Sequence, residues 1–169
     1  MIILGIDPGL TGGIGVLNGH GQLLHAYPMP IKARNDTKNE VDAAGLTRIL
    51  TSLGTVIEMV VLERQRPMPS LRFGKKAQSP QVGFSLGMSQ GIVVGVAAAL
   101  GLPLTYAEPQ TWKKFYGLKG GRENKPLARA RAIELYPGAP LSRVKDEGVA
   151  EALLIARWWL MKDGIRLHP

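Results

Sequence analysis

Apolar positions come first in a short unbroken run, MIILGI, the pattern of a strand covered on both faces, and the run stops at Asp7. The turn residues of DPGLTGG follow. IGVLNGHGQLLHAYPMP then reads as two strands joined by a glycine- and asparagine-containing turn, so that the first three strands form a meander. NDTKNE is a polar break. VDAAGLTRILTSL has helical spacing at Val41, Ala44, Leu46, Ile49, Leu50 and Leu53, and VIEMVVL returns to strand character and delivers Glu63 at its end. Residues 64–80 place Arg64, Arg66, Arg72, Lys75 and Lys76 among prolines with no acid between them, which predicts an exposed cationic loop. QVGFSLGMSQGIVVGVAAALG predicts a long helix with Gly83, Gly87, Gly91 and Gly95 at four-residue intervals. One face of it can approach another backbone closely, and without compensating packing these glycines weaken the helix. PLTYA is a further strand, PQTWKKFYGL a short helix opened by Pro109, and ENKPLARARAIELY another helix. The last helix begins near Asp146 and runs through AEALLIARWWLMK. Strands clustered early, with helices between and after them, predict an α/β fold about one mixed sheet, and 169 residues suit a single domain.

Charge adds a partner to this picture. Lys and Arg number 21 against 13 Asp and Glu, a formal charge of +8, which favours a polyanion such as nucleic acid. Cysteine is absent, which excludes a disulfide framework and a thiolate zinc site and fits a reducing cytoplasm. MIILGI lacks the basic leader of a signal peptide. The most apolar segment, Gly91 to Leu104, ends in a proline region short of the roughly 20 residues a bilayer span needs, so no membrane association is expected.

Within this basic chain the acids are concentrated. Asp7 and Glu63 each end an apolar strand, where a side chain is held rigidly yet meets solvent, and parallel neighbouring strands would bring both to one rim. On the final helix Glu147 and Glu151 are four residues apart, about 40° around the axis, and project as a pair. Asp146 lies further round and suits an N-cap, so it is the weaker candidate. Glu151 lies past the first turn, beside the apolar ALLIA, where an unpaired carboxylate is costly. Four carboxylates brought together repel one another unless a cation neutralises them, and hard oxygen donors without Cys or clustered His select Mg²⁺ or Mn²⁺. A basic surface that binds a phosphodiester around such an acidic pocket describes a metal-dependent nuclease.

GIDPGLTGGIGVL, VVLERQRPMP, GFSLGMSQGIVVG and KDEGVAEALLIA, in that order and separation, resemble the RuvC-type Holliday junction resolvases of the RNase H-like superfamily, most closely the phage and chloroplast branch. The resemblance runs from Met1 to about Leu160. It implies a five-stranded mixed sheet flanked by helices, a homodimer, and Mg²⁺-dependent cleavage of two opposed strands of a four-way junction. Catalytic and metal-binding roles then fall on Asp7, Glu63, Glu147 and Glu151. The bacterial pattern spaces its helix acids three apart, and the position three before Glu151 is Gly148, which leaves Glu147 or Asp146 as the partner; helical geometry favours Glu147. The aromatic residue that bacterial relatives carry soon after the strand glutamate is replaced here by Arg66, for which Phe73 or Arg66 itself could substitute by stacking.

The 64–76 loop and WKKFYGLKGGRENKPLARAR supply the DNA-facing cations, with Arg66, Arg72, Lys75, Lys76, Lys113, Lys114, Lys119 and Arg122 ranked first. Trp112, Phe115 and Tyr116 lie at helical spacing and read as core. Symmetric cutting requires two active sites about a twofold axis, and the small-residue helix from Gln81 to Leu100 is the candidate interface, although packing on its own sheet would also explain the glycines. Two other readings use the same residues. One is a non-catalytic branched-DNA-binding protein; the other is a nuclease acting on flaps, forks or RNA–DNA hybrids.

Overall fold

The computed structural model describes residues 1–36, 38–54, 57–66, 79–119 and 125–162. Strands β1 (Ile2–Asp7), β2 (Gly13–Asn18) and β3 (Leu23–Pro28) form the expected antiparallel meander. Strand β6 (Ile57–Glu63) pairs parallel to β1, and β7 (Leu104–Ala107) parallel to β6. The result is a five-stranded mixed sheet in the order β3-β2-β1-β6-β7.

Alternation along the central strands sends side chains to two cores. Ile3, Leu17 and Val61 face α3 (Pro109–Phe115), α4 (Lys125–Leu135) and α5 (Glu147–Met161). Leu4, Ile6, Ile14, Val16 and Leu62 face α1 (Ala43–Ser52) and α2 (Pro80–Ala99). Both faces are covered, which is why these strands read as continuous apolar runs. Helix α1 starts where Asp42 caps it, its carboxylate accepting from Ala44 N at 3.1 Å, and α2 starts at Ser79 with Pro80 in its first turn.

Most of the polar break, 35–36 and 38–40, lies in or beside strands. Ile31–Asn35 and Lys38–Val41, here β4 and β5, form a separate two-stranded hairpin. Its outer strand is exposed throughout and carries no apolar alternation; cross-strand charge takes that role, with Lys32 directly opposite Glu40 and 3.4 Å from it. Trp112 is fully buried, as expected of a core residue, but Phe115 is 45% exposed. The seven-residue α3 is too short to turn both aromatics inward, and Phe115 packs only edge-on against Tyr116.

Helix α2 matches the long helix read from the sequence. It runs 20 residues without a charged side chain and is long and apolar enough to cross a membrane, where the most apolar stretch, Gly91 to Leu104, was expected to fall short. Ser89, Val93, Val96 and Ala97 are buried. Among the described residues, a Cβ at Gly83, Gly87, Gly91 or Gly95 would meet nothing within 4 Å, so these glycines do not serve packing on the described sheet.

The opposite holds beneath α5. A Cβ on Gly15 would come within 2.7 Å of the Leu153 backbone nitrogen, and one on Gly13 within 2.6 Å of the Val149 Cα. Helix α5 therefore rests backbone-on-backbone against β1 and β2, and at its N-terminus Gly148 bridges to Gly12 in the turn after β1. A Cβ at Gly148 would collide with Thr11 and Gly12 main-chain atoms. This contact explains why an acid does not stand three residues before Glu151: no side chain fits there. Gly148→Asp, which restores the bacterial spacing on paper, is expected to destabilise the protein by about 1–3 kcal/mol through overpacking, and thermal denaturation beside the parent chain checks it.

Candidate metal centre

The register of β1 and β6, with Ile6 beside Leu62, sets Asp7 next to Glu63 at the ends of adjacent parallel strands. Asp7 is partly buried, and its Oδ1 accepts from Gly9 N at 3.0 Å, which fixes the carboxylate over the DPG turn. Glu63 is only 6% exposed; its Oε1 accepts from the Trp112 indole N–H at 3.0 Å and its Oε2 from the Gln65 side chain at 3.3 Å. Glu151, in the second turn of α5 and equally buried, is carried over this rim by the close seating of the helix. One oxygen from each of Asp7, Glu63 and Glu151 lies within 4.8 Å of the others.

Such proximity has an electrostatic cost. Burial, then Asp7, then Glu151 push the Glu63 carboxyl up to about 8, against the opposing pull of Lys113 and the Trp112 hydrogen bond. Lys113, on α3, places its Nζ 3.0 Å from Glu151 and 4.9 Å from the centre of the Trp112 ring. Burial alone would lower its pKa, but Glu151, Glu63 and Asp7 outweigh burial and hold it above the ordinary lysine value. Three oxygen donors without sulfur or imidazole, crowded enough to raise the Glu63 carboxyl, fit a hard divalent cation.

The remaining expected residues are distributed differently. Asp146 is buried but turned to Arg143: its Oδ2 accepts from Arg143 N at 2.9 Å and its Oδ1 from Arg143 Nη2 at 2.8 Å. That pairing closes the 3-10 turn Val144–Asp146 as a capping box and holds the Asp146 carboxyl below its usual range. Glu147 opens α5, partly buried, one turn before Glu151 and outside the group of three close carboxylates. Lys113 lies in the carboxylate pocket instead of on the basic surface, whereas Lys114, Lys119 and Arg66 are exposed. Arg72, Phe73, Lys75, Lys76 and Arg122 lie outside the described residues.

Trp112 and Gln65 were not foreseen as supports of Glu63. Gln65 is itself held by Gln90 on α2, whose Oε1 accepts from Gln65 N at 2.8 Å. The available signal was position: Gln65 follows Glu63 by two residues and so shares its side of an extended chain.

With this geometry in place, comparison with known proteins is informative. No protein-family model matches the chain. It is 33% identical to the crossover junction endodeoxyribonuclease RuvC of Anaeromyxobacter dehalogenans strain 2CP-1 over 92% of its own length and 78% of the relative's. The same figures hold for RuvC of Anaeromyxobacter sp. strain K. Among solved structures, T. thermophilus RuvC in complex with a Holliday junction substrate superposes with a TM-score of 0.66, at 19% identity and 98% coverage of both chains, so the fold is shared. The chain belongs to the RuvC family of crossover junction endodeoxyribonucleases.

The Glu63 shift has a thermodynamic consequence. The folded state holds this proton up to about pH 8 and the unfolded state only to about 4.5, so stability falls as pH rises between those values and levels off above them. In chelator the melting temperature is expected to fall from pH 5 to pH 8 more steeply for the parent chain than for Glu63→Gln. A divalent cation should remove most of that difference, and its stabilising effect should be larger at pH 8 than at pH 5; calorimetry at both pH values, with and without metal, reads all three.

Proposed function

We propose that this chain is a Holliday junction resolvase, a divalent-metal-dependent endonuclease that nicks two opposed strands of a four-way DNA junction. The observation that carries the reading is the convergence of Asp7, Glu63 and Glu151 on the sheet rim of a RuvC-family chain with a formal charge of +8. With all three ionised, the Lys113 ammonium leaves two negative charges, the complement of one Mg²⁺, for which Mn²⁺ can substitute. Asp7, Glu63 and Glu151 are the ligands for that ion, and Glu147, one turn before Glu151, is the ligand for a second. When bound, the metal supplies an activated water and charge stabilisation of the leaving oxygen.

The chain's own groups have distinct tasks in this reading. Trp112 and Gln65 orient Glu63. Lys113 pairs with Glu151 and presents an ammonium to a phosphodiester oxygen. Arg66, Lys114 and Lys119 contact backbone phosphates, with Arg72, Lys75, Lys76 and Arg122 completing the cationic track. The junction-bound T. thermophilus RuvC, which shares the fold, supports four-way DNA as substrate. The test is incubation with Mg²⁺ or Mn²⁺ and matched junction, flap, duplex and RNA–DNA hybrid substrates. Symmetric nicks across the junction are expected, and Asp7→Asn should lose them while retaining junction binding; equal degradation of plain duplex would reject resolution, and absence of any metal-dependent cleavage would leave a binding protein.

Paired nicks call for a homodimer, and the surface of α2 supports one. Its glycine row faces open space, Val82 and Phe84 are 43% and 57% exposed, and its apolar surface is mostly uncovered within one chain. A second copy crossing at the glycines would cover it without a membrane. Gly91→Leu is therefore expected to raise helix stability by roughly 1 kcal/mol yet yield a monomer by light scattering. A dimer unchanged by this substitution would place the interface elsewhere.

A further inference from the structure

Between the end of β6 and the start of α3 lies a cavity of about 610 Å³, large enough for one nucleoside, whose Arg64 and Glu108 have no task in the chemistry above. Glu63 pairs with Ala107 in the sheet and Arg64 N donates to Ala107 O at 2.9 Å, so Arg64 and Glu108 leave the strands side by side and enter its wall. Arg66 Nη2 donates to Glu108 Oε1 at 2.9 Å. Arg64 Nε lies 2.8 Å from the same oxygen, but its N–H is not aimed there, and among the described residues this buried donor has no hydrogen-bond partner. The Arg64 guanidinium is held over the Tyr106 ring, 4.0 Å from its centre. Glu108 occupies the N-cap of α3, yet its side chain makes no capping hydrogen bond. Gln65 links the two sites, lining the cavity while donating to Glu63.

We propose that this cavity receives the base of a nucleotide adjacent to the scissile phosphate and that Glu108 reads it by accepting a hydrogen bond from an exocyclic amino group. The proposal rests on the resolvase reading. A carboxylate only accepts, so adenine, cytosine and guanine can each satisfy it through an exocyclic amino group, whereas thymine has no amino group and offers only its ring N3–H, which lies between two carbonyl oxygens that repel the carboxylate. Arg64, held over Tyr106 and lining the cavity, offers the base its partly exposed guanidinium for stacking. Arg66, with its side chain 69% exposed, can exchange Glu108 for a backbone phosphate, and two arginines against one glutamate leave the positive charge that a nucleotide requires.

The experiment uses junctions that differ only in the nucleotides flanking the cut, with each of the four bases at each position, and reads relative nicking rates in Mg²⁺. The parent chain is expected to cut thymine-bearing junctions at one flanking position about tenfold more slowly than the best amino-bearing base. Glu108→Gln, whose amide can also donate to a keto oxygen, and Glu108→Ala should both compress that ratio to within about twofold. Ratios between substrates are insensitive to a general loss of stability. If both variants keep the parent's base profile and change only overall rate or melting temperature, Glu108 is merely the counter-ion of two arginines and the proposal is wrong. A parent chain with no disadvantage for thymine at any flanking position overturns it as well. If the parent nicks no junction at all, the resolvase reading fails first and the pocket assignment with it.

Discussion

Repulsion among Asp7, Glu63 and Glu151 is the force the rest of the molecule must contain. Their oxygens share a space less than 5 Å across, and two of the three residues are almost wholly withdrawn from water. Side-chain contacts alone would let such a group spread. Here the supports are joined through main chain: β1 and β6 by their parallel ladder, and α5 to the sheet through glycines that leave no layer of side chains between helix and strands. The sheet rim and the second turn of α5 therefore cannot move apart without breaking the core, and the charge problem is left for cations to solve.

One such cation is built in. Lys113 reaches into the pocket from α3, and Trp112, its neighbour in sequence, grips Glu63 from the same short helix. A seven-residue helix with little burial of its own is thus pinned by polar contacts to the site it serves. Among the described residues the positive charge divides accordingly into the half-buried Lys113 ammonium, which acts on carboxylates, and exposed cations available to phosphates.

Much of this was readable from the chain. The strand runs ending at Asp7 and Glu63, the meander and the order of helices follow from period and punctuation, and Glu151 stood out because an acid interrupts an apolar face. What the sequence concealed depends on distant partners. The β4–β5 hairpin lacks an apolar period because charge pairing holds it, and a polar run of that kind looks like a break. Lys113 and Lys114 are adjacent and chemically alike, yet only the direction of α3 against α5 decides which one meets Glu151. Arg143 pairs with Asp146 in a turn that no periodicity announces. The glycine row of α2 could be read from the sequence, but that no described residue packs against it could not.

The Gly12–Gly148 contact also restricts how this lineage can drift. Moving the helix acid by one position is a single codon change, but here the intermediate is sterically barred until the turn after β1 retreats, and retreat without the new acid gains nothing. Ligand spacing and helix seating are consequently epistatic. Grafting the three-residue acidic spacing onto this chain would succeed only with a turn after β1 that makes room for a side chain at position 148.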